Sequence, residues 1–180
     1  MSDADLVART LAGQREAFAL LYDRYARLVR AIAFDASGDL STVHDLTQEC
    51  FLRAFQHLPA LRDQEHFARW LVGIARKVVQ EYRRRRQSQP LGDGADLVAE
   101  ESFPRLEDID EMEHTLRLVA QLPEPERLAV HHFFLNGRDV VATGRLLKLS
   151  RSGTYALLQR ACARLAGWLE GRPRWREGKP

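Results

Sequence analysis

Residues 146–165 read LLKLSRSGTYALLQRACARL, with a polar SRSGT set between two apolar periodic runs. Ser150 is placed to cap the amides of a helix that begins beside it, and the KLS segment supplies a tight turn after Leu147. Beyond the turn, Tyr155, Leu158, Cys162 and Leu165 are expected to form a buried stripe. Arg151, Ser152, Gly153, Ala156 and Arg160 then point to other faces. A short helix, a tight turn and a second helix with polar residues in its first turns is the layout of a helix-turn-helix, whose second helix enters the major groove. Its arginines would meet phosphates and base edges. The competing reading of this stretch alone is a solvated basic face on a capped helix pair.

Working outward, helical patterning starts near residue 109 and runs through LRLVAQL. PEPER opens another helix, its proline in the first turn where a missing N–H does no harm, and Gly137 stops it. Two more helices follow, over about 138–148 and 151–170. In the first half, Phe18, Leu21, Tyr25, Leu28 and Ile32 recur at spacings of three and four, the stripe of an amphipathic helix over 14–34. Ser2 is a plausible cap for a short helix before it. ASGD at 36–39 breaks the pattern, and Ser41 or Thr42 is expected to cap a helix running to about His57, with Pro59 at its end. A third long helix over 64–86 carries Phe67, Leu71, Ile74, Val78 and Tyr82 on one face. Between the halves, 87–108 mixes Gly, Pro, Ser and acids without sustained periodicity and reads as a linker. No strand alternation or tandem repeat is present. The expected fold is all-α, two small helical domains joined by a flexible acidic linker.

Composition narrows the function class. Hydrophobic residues at 45% and charged residues at 29% of 180 suit an ordinary globular chain. No run of about 18 apolar residues suggests membrane insertion, and the acidic start MSDADLVARTLAGQ is unlike a secretory signal, so a cytoplasmic location is expected. Cys50 and Cys162 fall in helical apolar patterns and read as buried, reduced thiols. The net charge of +2 conceals an uneven distribution: RRRR at 83–86, then seven acids over 87–110 against Arg105 alone, then a basic final third. Enzymatic chemistry is not expected. Adjacent His131 and His132 diverge by about 100° on a helix and cannot share a metal, His44 and Glu49 are no better placed, and neither a Gly-rich phosphate loop nor a nucleophile elbow occurs. No cofactor is called for.

Three stretches of the first half, EAFALLYDRYARLVRAIA, HDLTQECFLRAFQHLP and HFARWLVGIARKVVQEYRRRR, resemble in order and spacing region two of bacterial sigma-70 family factors of the extracytoplasmic function (ECF) group. LPEPERLAVHHFFLNG followed by the opening stretch looks like region four of the same family. The resemblance covers about 15–86 and 115–168. It implies a promoter-specificity subunit: region two (1–86) docks on core RNA polymerase and captures the melted minus-ten element, and region four (109–170) reads the minus-thirty-five element of promoter DNA. A basic tail, 171–180, follows. On this reading Asp45, Gln48, Glu49 and Arg53 meet the polymerase. Arg62, Arg69, Trp70, Arg76, Lys77, Arg83 and Arg84 serve the melted strand, where interleaved aromatic and cationic groups hold unstacked bases and phosphates. Ser150, Arg151, Ser152 and Arg160 serve the minus-thirty-five duplex. The loop 58–67 sits where the family builds a pocket for a flipped base. An acidic linker threads near the RNA path. An anti-sigma factor and a Ser/Thr kinase are candidate regulators.

Departures from the family pattern carry expectations of their own. Ser41, Thr42, Val43 and His44 stand where several carboxylates are usual, leaving Asp45 alone at that edge, and phosphorylation of Ser41 or Thr42 would restore about −1.5 to −2 of charge. Lys77 replaces a common asparagine and can grip phosphate but cannot make paired contacts to a base edge. Ala156 and Leu157 stand where relatives place a polar residue and an arginine. Thr143 and Gly144 replace an apolar and alanine pair, and glycine admits close helix approach while lowering helicity by about 1 kcal/mol. These departures keep two rivals open: a sigma-like adaptor or decoy that binds polymerase or an anti-sigma protein without reading promoters, and a stand-alone helix-turn-helix regulator.

Overall fold

The computed structural model describes residues 1–88 and 114–170. Most of the expected linker and the whole basic tail lie outside the described residues, as does the expected helical start at 109–113. Within the described residues every regular element is helical.

The first lobe has four helices. α1 spans Asp3–Leu11 and starts at a capping box, in which the Ser2 hydroxyl accepts from the Asp5 amide while the Asp5 carboxylate accepts from that of Ser2. α2, Arg15–Ser37, buries Leu21, Tyr25, Leu28 and Ile32 as the spacing predicts, with Phe18 partly buried beside them. It ends where Gly38 turns left-handed at φ 65°. α3 spans Leu40–His57, and short 3-10 turns at Leu58–Ala60 and Gln64–His66 lead into α4, Phe67–Ser88. Several boundaries differ from expectation, the end of α2 at Ser37 among them. The cap of α3 is Asp39, whose carboxylate accepts from the amides of Ser41 and Thr42, so those two residues occupy the first turn and are not caps. α4 begins at Phe67 because Asp63 caps the 3-10 turn at 64–66, and it runs two residues past Arg86.

The core of this lobe is made where α2, α3 and α4 face one another. Cys50, Phe51 and Ala54 of α3 and Phe67, Leu71, Ala75 and Val78 of α4 are buried against the α2 stripe. Phe18 meets Phe51 and Phe55 edge-on. Burial pushes the Cys50 thiol up to about 12, which suits a reduced packing residue.

Among its described residues the second lobe also has four helices: α5, helical at 114–120; α6, Glu124–Leu135; α7, Val140–Leu147; and α8, Arg151–Glu170. Pro123 occupies the N-cap position of α6 without a side-chain cap bond, and the turn after the helix uses Gly137 and Arg138, both at positive φ. Asp139 caps α7 through the amides of Val141 and Ala142. Lys148 turns left-handed at φ 58° to end it, and the Ser150 hydroxyl accepts from the Gly153 amide to start α8. The turn from α7 to α8 is therefore the predicted one.

The stripe of α8 is the predicted one only in part: Leu158 is buried and Leu165 packs partly buried, but the other two positions differ. Thr154, Leu157, Leu158 and Ala161 are buried, whereas Tyr155 and Cys162 are exposed. The inward face is rotated by about one residue, because the tight approach of α7 draws Thr154, not its aromatic neighbour, into contact. Leu157 thereby packs with Ala129, Leu158 and Phe133 and is unavailable to DNA. Cys162 is a surface thiol, not a buried one.

The lobes are packed together. α6 lies on α2 and α7 on α4, and Leu128 and Leu146 of the second lobe join the core of the first, 3% and 6% exposed. Burial of this kind contributes up to about 1.5–3 kcal/mol per leucine.

Candidate nucleic-acid interface

α4 carries a row of exposed cations, Arg69, Arg76, Lys77, Arg83 and Arg84, with Arg62 exposed in the preceding loop. Trp70 is half-buried with its ring 5.8 Å from that of Phe67, so it serves the core while keeping an accessible edge. Two of the arginines are engaged. Arg76 Nε lies 2.7 Å from Glu124 Oε1 of the second lobe, and Arg83 donates to the backbone carbonyl of Asp35.

The α3 face is built differently. Asp45 and Gln48 are exposed, Gln48 bonded to His44 at 3.2 Å. Arg53 is tied inward: its two Nη atoms reach the Glu81 carboxylate at 3.0 and 2.8 Å, and its Nε reaches Glu49 at 2.6 Å. This fork joins α3 to α4 and holds the Glu81 carboxyl below its usual range, chiefly through the hydrogen bonds from Arg53. Next to Asp45, Gln48 and Glu49 stand exposed Leu52 and Phe55, giving that face an apolar half. Leu52 went unnoticed in the sequence although its i+3 spacing from Glu49 marks it.

Ser41 and Thr42 each donate a hydroxyl hydrogen bond to Asp39 Oδ2, at 2.7 and 2.5 Å. Those bonds, that from Thr42 first, hold the Asp39 carboxyl down to about 2. Asp39 thus supplies an anion at the edge where Asp45 alone was expected. Its N-cap signature, an Asp ahead of LST after a glycine, was legible.

At the start of α8, Arg151 and Ser152 are exposed, and the Arg151 guanidinium lies over the Tyr155 ring at 5.9 Å. Ser150 is partly committed to the cap and to Ser152 Oγ at 3.1 Å. Arg160 is exposed, 4.0 Å from buried Glu126, with Arg164 closer to that carboxylate at 3.1 Å. The α7–α8 turn opens into a groove of about 300 Å³ lined by Val140, Gly144, Arg145, Lys148 and Arg151, and His66 of the first lobe closes its far side. The structure therefore brings the start of α8 beside the 58–67 loop and leaves Asp45 and Gln48 on a separate face.

The adjacent histidines have separate structural partners. His131 Nε2 lies 3.1 Å from Asp35 Oδ2, and His132 Nδ1 lies 2.9 Å from Thr143 Oγ1. Burial holds the His132 imidazole below its ordinary value of 6.5. Among the described residues no cluster of three or more His, Cys, Asp or Glu could hold a metal, and no helix is long and apolar enough to cross a membrane.

A four-helix bundle and a capped helix-turn-helix, helical throughout the described residues, define the structural class. Residues 21–89 match the sigma-70 region 2 family. The ECF RNA polymerase sigma factor BldN of Streptomyces coelicolor is 31% identical over 168 residues, covering 90% of this chain and 64% of BldN. A Xanthomonas campestris pv. campestris protein named "Probable RNA polymerase sigma factor RfaY" is 29% identical over 160 residues, covering 84% of this chain and 40% of that one. The chain thus spans less than two thirds of the length of either relative. The solved structure of CnrH in complex with the cytosolic domain of CnrY has the same fold, with a TM-score of 0.63 at 20% identity over 95% of this chain and 99% of CnrH. Residues 21–89 thus match sigma-70 region 2, and the chain as a whole is similar in sequence to ECF RNA polymerase sigma factors.

Proposed function

We propose that this protein is a promoter-specificity subunit that binds core RNA polymerase and directs promoter recognition, DNA melting and transcription initiation in the cytoplasm. The observation that carries the reading is one chain holding a sigma-70 region 2 bundle with a cation row on α4 and a helix-turn-helix whose second helix opens on exposed Arg151 and Ser152. Asp45, Gln48 and Glu49, with Leu52 and Phe55, form the polymerase face, while Arg53 acts behind it by fixing α3 to α4. Arg62, Arg69, Trp70, Arg76, Lys77, Arg83 and Arg84 serve the melted strand. Arg151 and Ser152 face the minus-thirty-five duplex, with Ser150 as their cap and Arg160 on phosphate. No catalytic role is assigned to any residue, because nucleotide chemistry belongs to the polymerase. An anti-sigma protein would act by covering these faces.

Phosphorylation at Ser41 or Thr42 would exchange a hydroxyl–Asp39 hydrogen bond for two neighbouring anions at a helix start. Asp39 already provides charge there, and unmodified protein is the form expected to bind polymerase. The decisive experiment mixes purified protein with core polymerase, tests for a stable complex, and sequences transcripts from a genomic DNA library. Discrete start sites support the reading. A complex without transcripts favours the decoy, for which buried Leu157 and small Ala156 on α8 speak. Dimeric duplex binding with no polymerase complex favours the stand-alone regulator.

A further inference from the structure

α6 and α8 are joined by a carboxylate that two arginines share. Glu126, in the first turn of α6, is 6% exposed, and on α8 Arg164 Nε lies 3.1 Å from its Oε2 and Arg160 Nε 4.0 Å from its Oε1. Arg160 is too distant for a hydrogen bond and Glu126 Oε2 accepts none among the described residues, so the tie is one of charge. Stability alone does not call for such a group. Apolar residues of similar volume in place of a buried ion pair are often neutral or stabilising, whereas a buried carboxylate without partners is costly. Like charges four residues apart on a helix repel, and a carboxylate shared between them offsets the repulsion. Glu126 thus holds together two cations that would otherwise splay.

The two arginines are not used up by this contact. Both side chains are more than half exposed, and neither has another ion pair or hydrogen bond among the described residues. At about 100° per residue, Arg160 and Arg164 stand about 180° and 220° around α8 from Arg151, at the far edge of its exposed face. The exposed residues between the two edges include Ser152, Ala156, Gln159 and Ala163, and none is charged. At a rise of about 1.5 Å per residue, the pair lies roughly 14–20 Å along the axis from Arg151. A helix about 10–12 Å across fills a major groove about 12 Å wide, so its uncharged strip meets base edges and its two edges meet the phosphates of opposite strands.

We infer that Arg164 is a second phosphate-binding residue of α8 beside Arg160, and that buried Glu126 is the positioning residue that aims the pair at the strand opposite the one Arg151 serves. The inference rests on the reading above that α8 enters duplex DNA. Each arginine neutralises one phosphate, a contact blind to sequence, so the pair adds affinity and register without changing which promoter is read.

The test titrates the full chain against a random-sequence duplex of about 20 bp between about 50 and 200 mM salt. Arg164→Ala is expected to lower the slope of log affinity against log salt by about one relative to the wild type and to the exposed control Arg15→Ala. Arg164→Lys keeps a point charge and should restore the slope. Glu126→Gln separates aim from charge. It removes one negative charge, so a carboxylate that merely damped the arginines would leave binding tighter, whereas lost positioning leaves it about three-fold or more weaker. Glu126→Met, an apolar stand-in, repeats the comparison should Glu126→Gln not fold. An unchanged slope in Arg164→Ala overturns the phosphate contact, and tighter or unchanged binding by the Glu126 variants overturns the positioning. Where the free chain binds too weakly to titrate, the same series is read on its complex with core polymerase against core polymerase alone, and no duplex binding in either form overturns both. A chain that forms no polymerase complex but keeps these slopes sinks the sigma reading and leaves the phosphate pair standing.

Discussion

Gly144 and Thr154 meet so closely that a β-carbon on Gly144 would lie 2.9 Å from Thr154 Oγ1 and 2.9 Å from the Leu149 carbonyl oxygen. The backbone oxygen cannot swing away as a side chain can. Gly144→Ala is therefore expected to destabilise the protein by about 1–3 kcal/mol despite alanine's better helix propensity. Gly73, in α4 with nothing within 4 Å of its added β-carbon, is the contrast: Gly73→Ala should stabilise by up to about 1 kcal/mol. Denaturant melts of the two variants check both signs.

Asp39 holds the start of α3 through two amides and two hydroxyls. Asp39→Ala should cost about 1 kcal/mol, as loss of an N-cap does. The Asp39 carboxyl is depressed from an ordinary 3.8 to about 2, so the unfolded chain takes the proton first on acidification. Its stabilisation is complete above about pH 4 and disappears as pH falls toward 2. Acid unfolding of the wild type should show this dependence, and that of Asp39→Ala should lack it.

His132 works in a higher window. Burial keeps its imidazole below 6.5, with Asp139 and Asp3 opposing weakly, so the unfolded chain binds this proton more readily than the folded one. Its effect is a loss of stability as pH drops below about 6.5. His132→Leu should flatten the slope of Tm between about pH 7.5 and 5.5, and Thr143 Oγ1 keeps its bond to the Asp139 carbonyl in that variant.

Arg53→Lys tests whether the fork to Glu81 is a point charge or a geometry. Lysine keeps the charge but cannot bind both carboxylate oxygens while reaching Glu49. A lower Tm at unchanged helix content is expected, with a smaller loss at high salt than for the uncharged Arg53→Ala. If Arg53→Lys melts with the wild type, bidentate geometry is irrelevant there.

Arg151→Ala should weaken minus-thirty-five binding by the polymerase complex across promoters and reduce the salt slope by about one if the guanidinium meets phosphate. Lys77→Asn should instead change which minus-ten sequences are transcribed, since asparagine adds a paired donor and acceptor. Salt-titrated binding and transcript sequencing separate the two effects.

Much of the fold was readable along the chain because its determinants are local. The α2 and α4 stripes follow from spacings of three and four, and the Ser150 cap from a serine at the head of a polar turn. The α8 register was misread because Tyr155 and Cys162 look apolar and Thr154 does not. Which side faces inward is decided by the close approach of α7 at Gly144, a contact between helices. The site divides in the same way. Exposed cations on α4 and Arg151 follow from helix periodicity, but the tie from Arg53 to Glu81 does not, because Glu81 lies 28 residues away. Asp35 and His131, 96 residues apart, share no local signal at all.

The leucines that the second lobe lends to the first also set an order of events at the ribosome. Ser88 closes the first lobe, yet Leu128 and Leu146 are made 40 and 58 residues later. At about 5–20 residues per second, the newborn bundle waits roughly 2–8 seconds for Leu128 and roughly 3–12 seconds for Leu146 with their docking hollows open to water. Over that interval the nascent chain presents a greasy surface that the packed protein covers, and a chaperone acting on it would have to let go before α7 arrives.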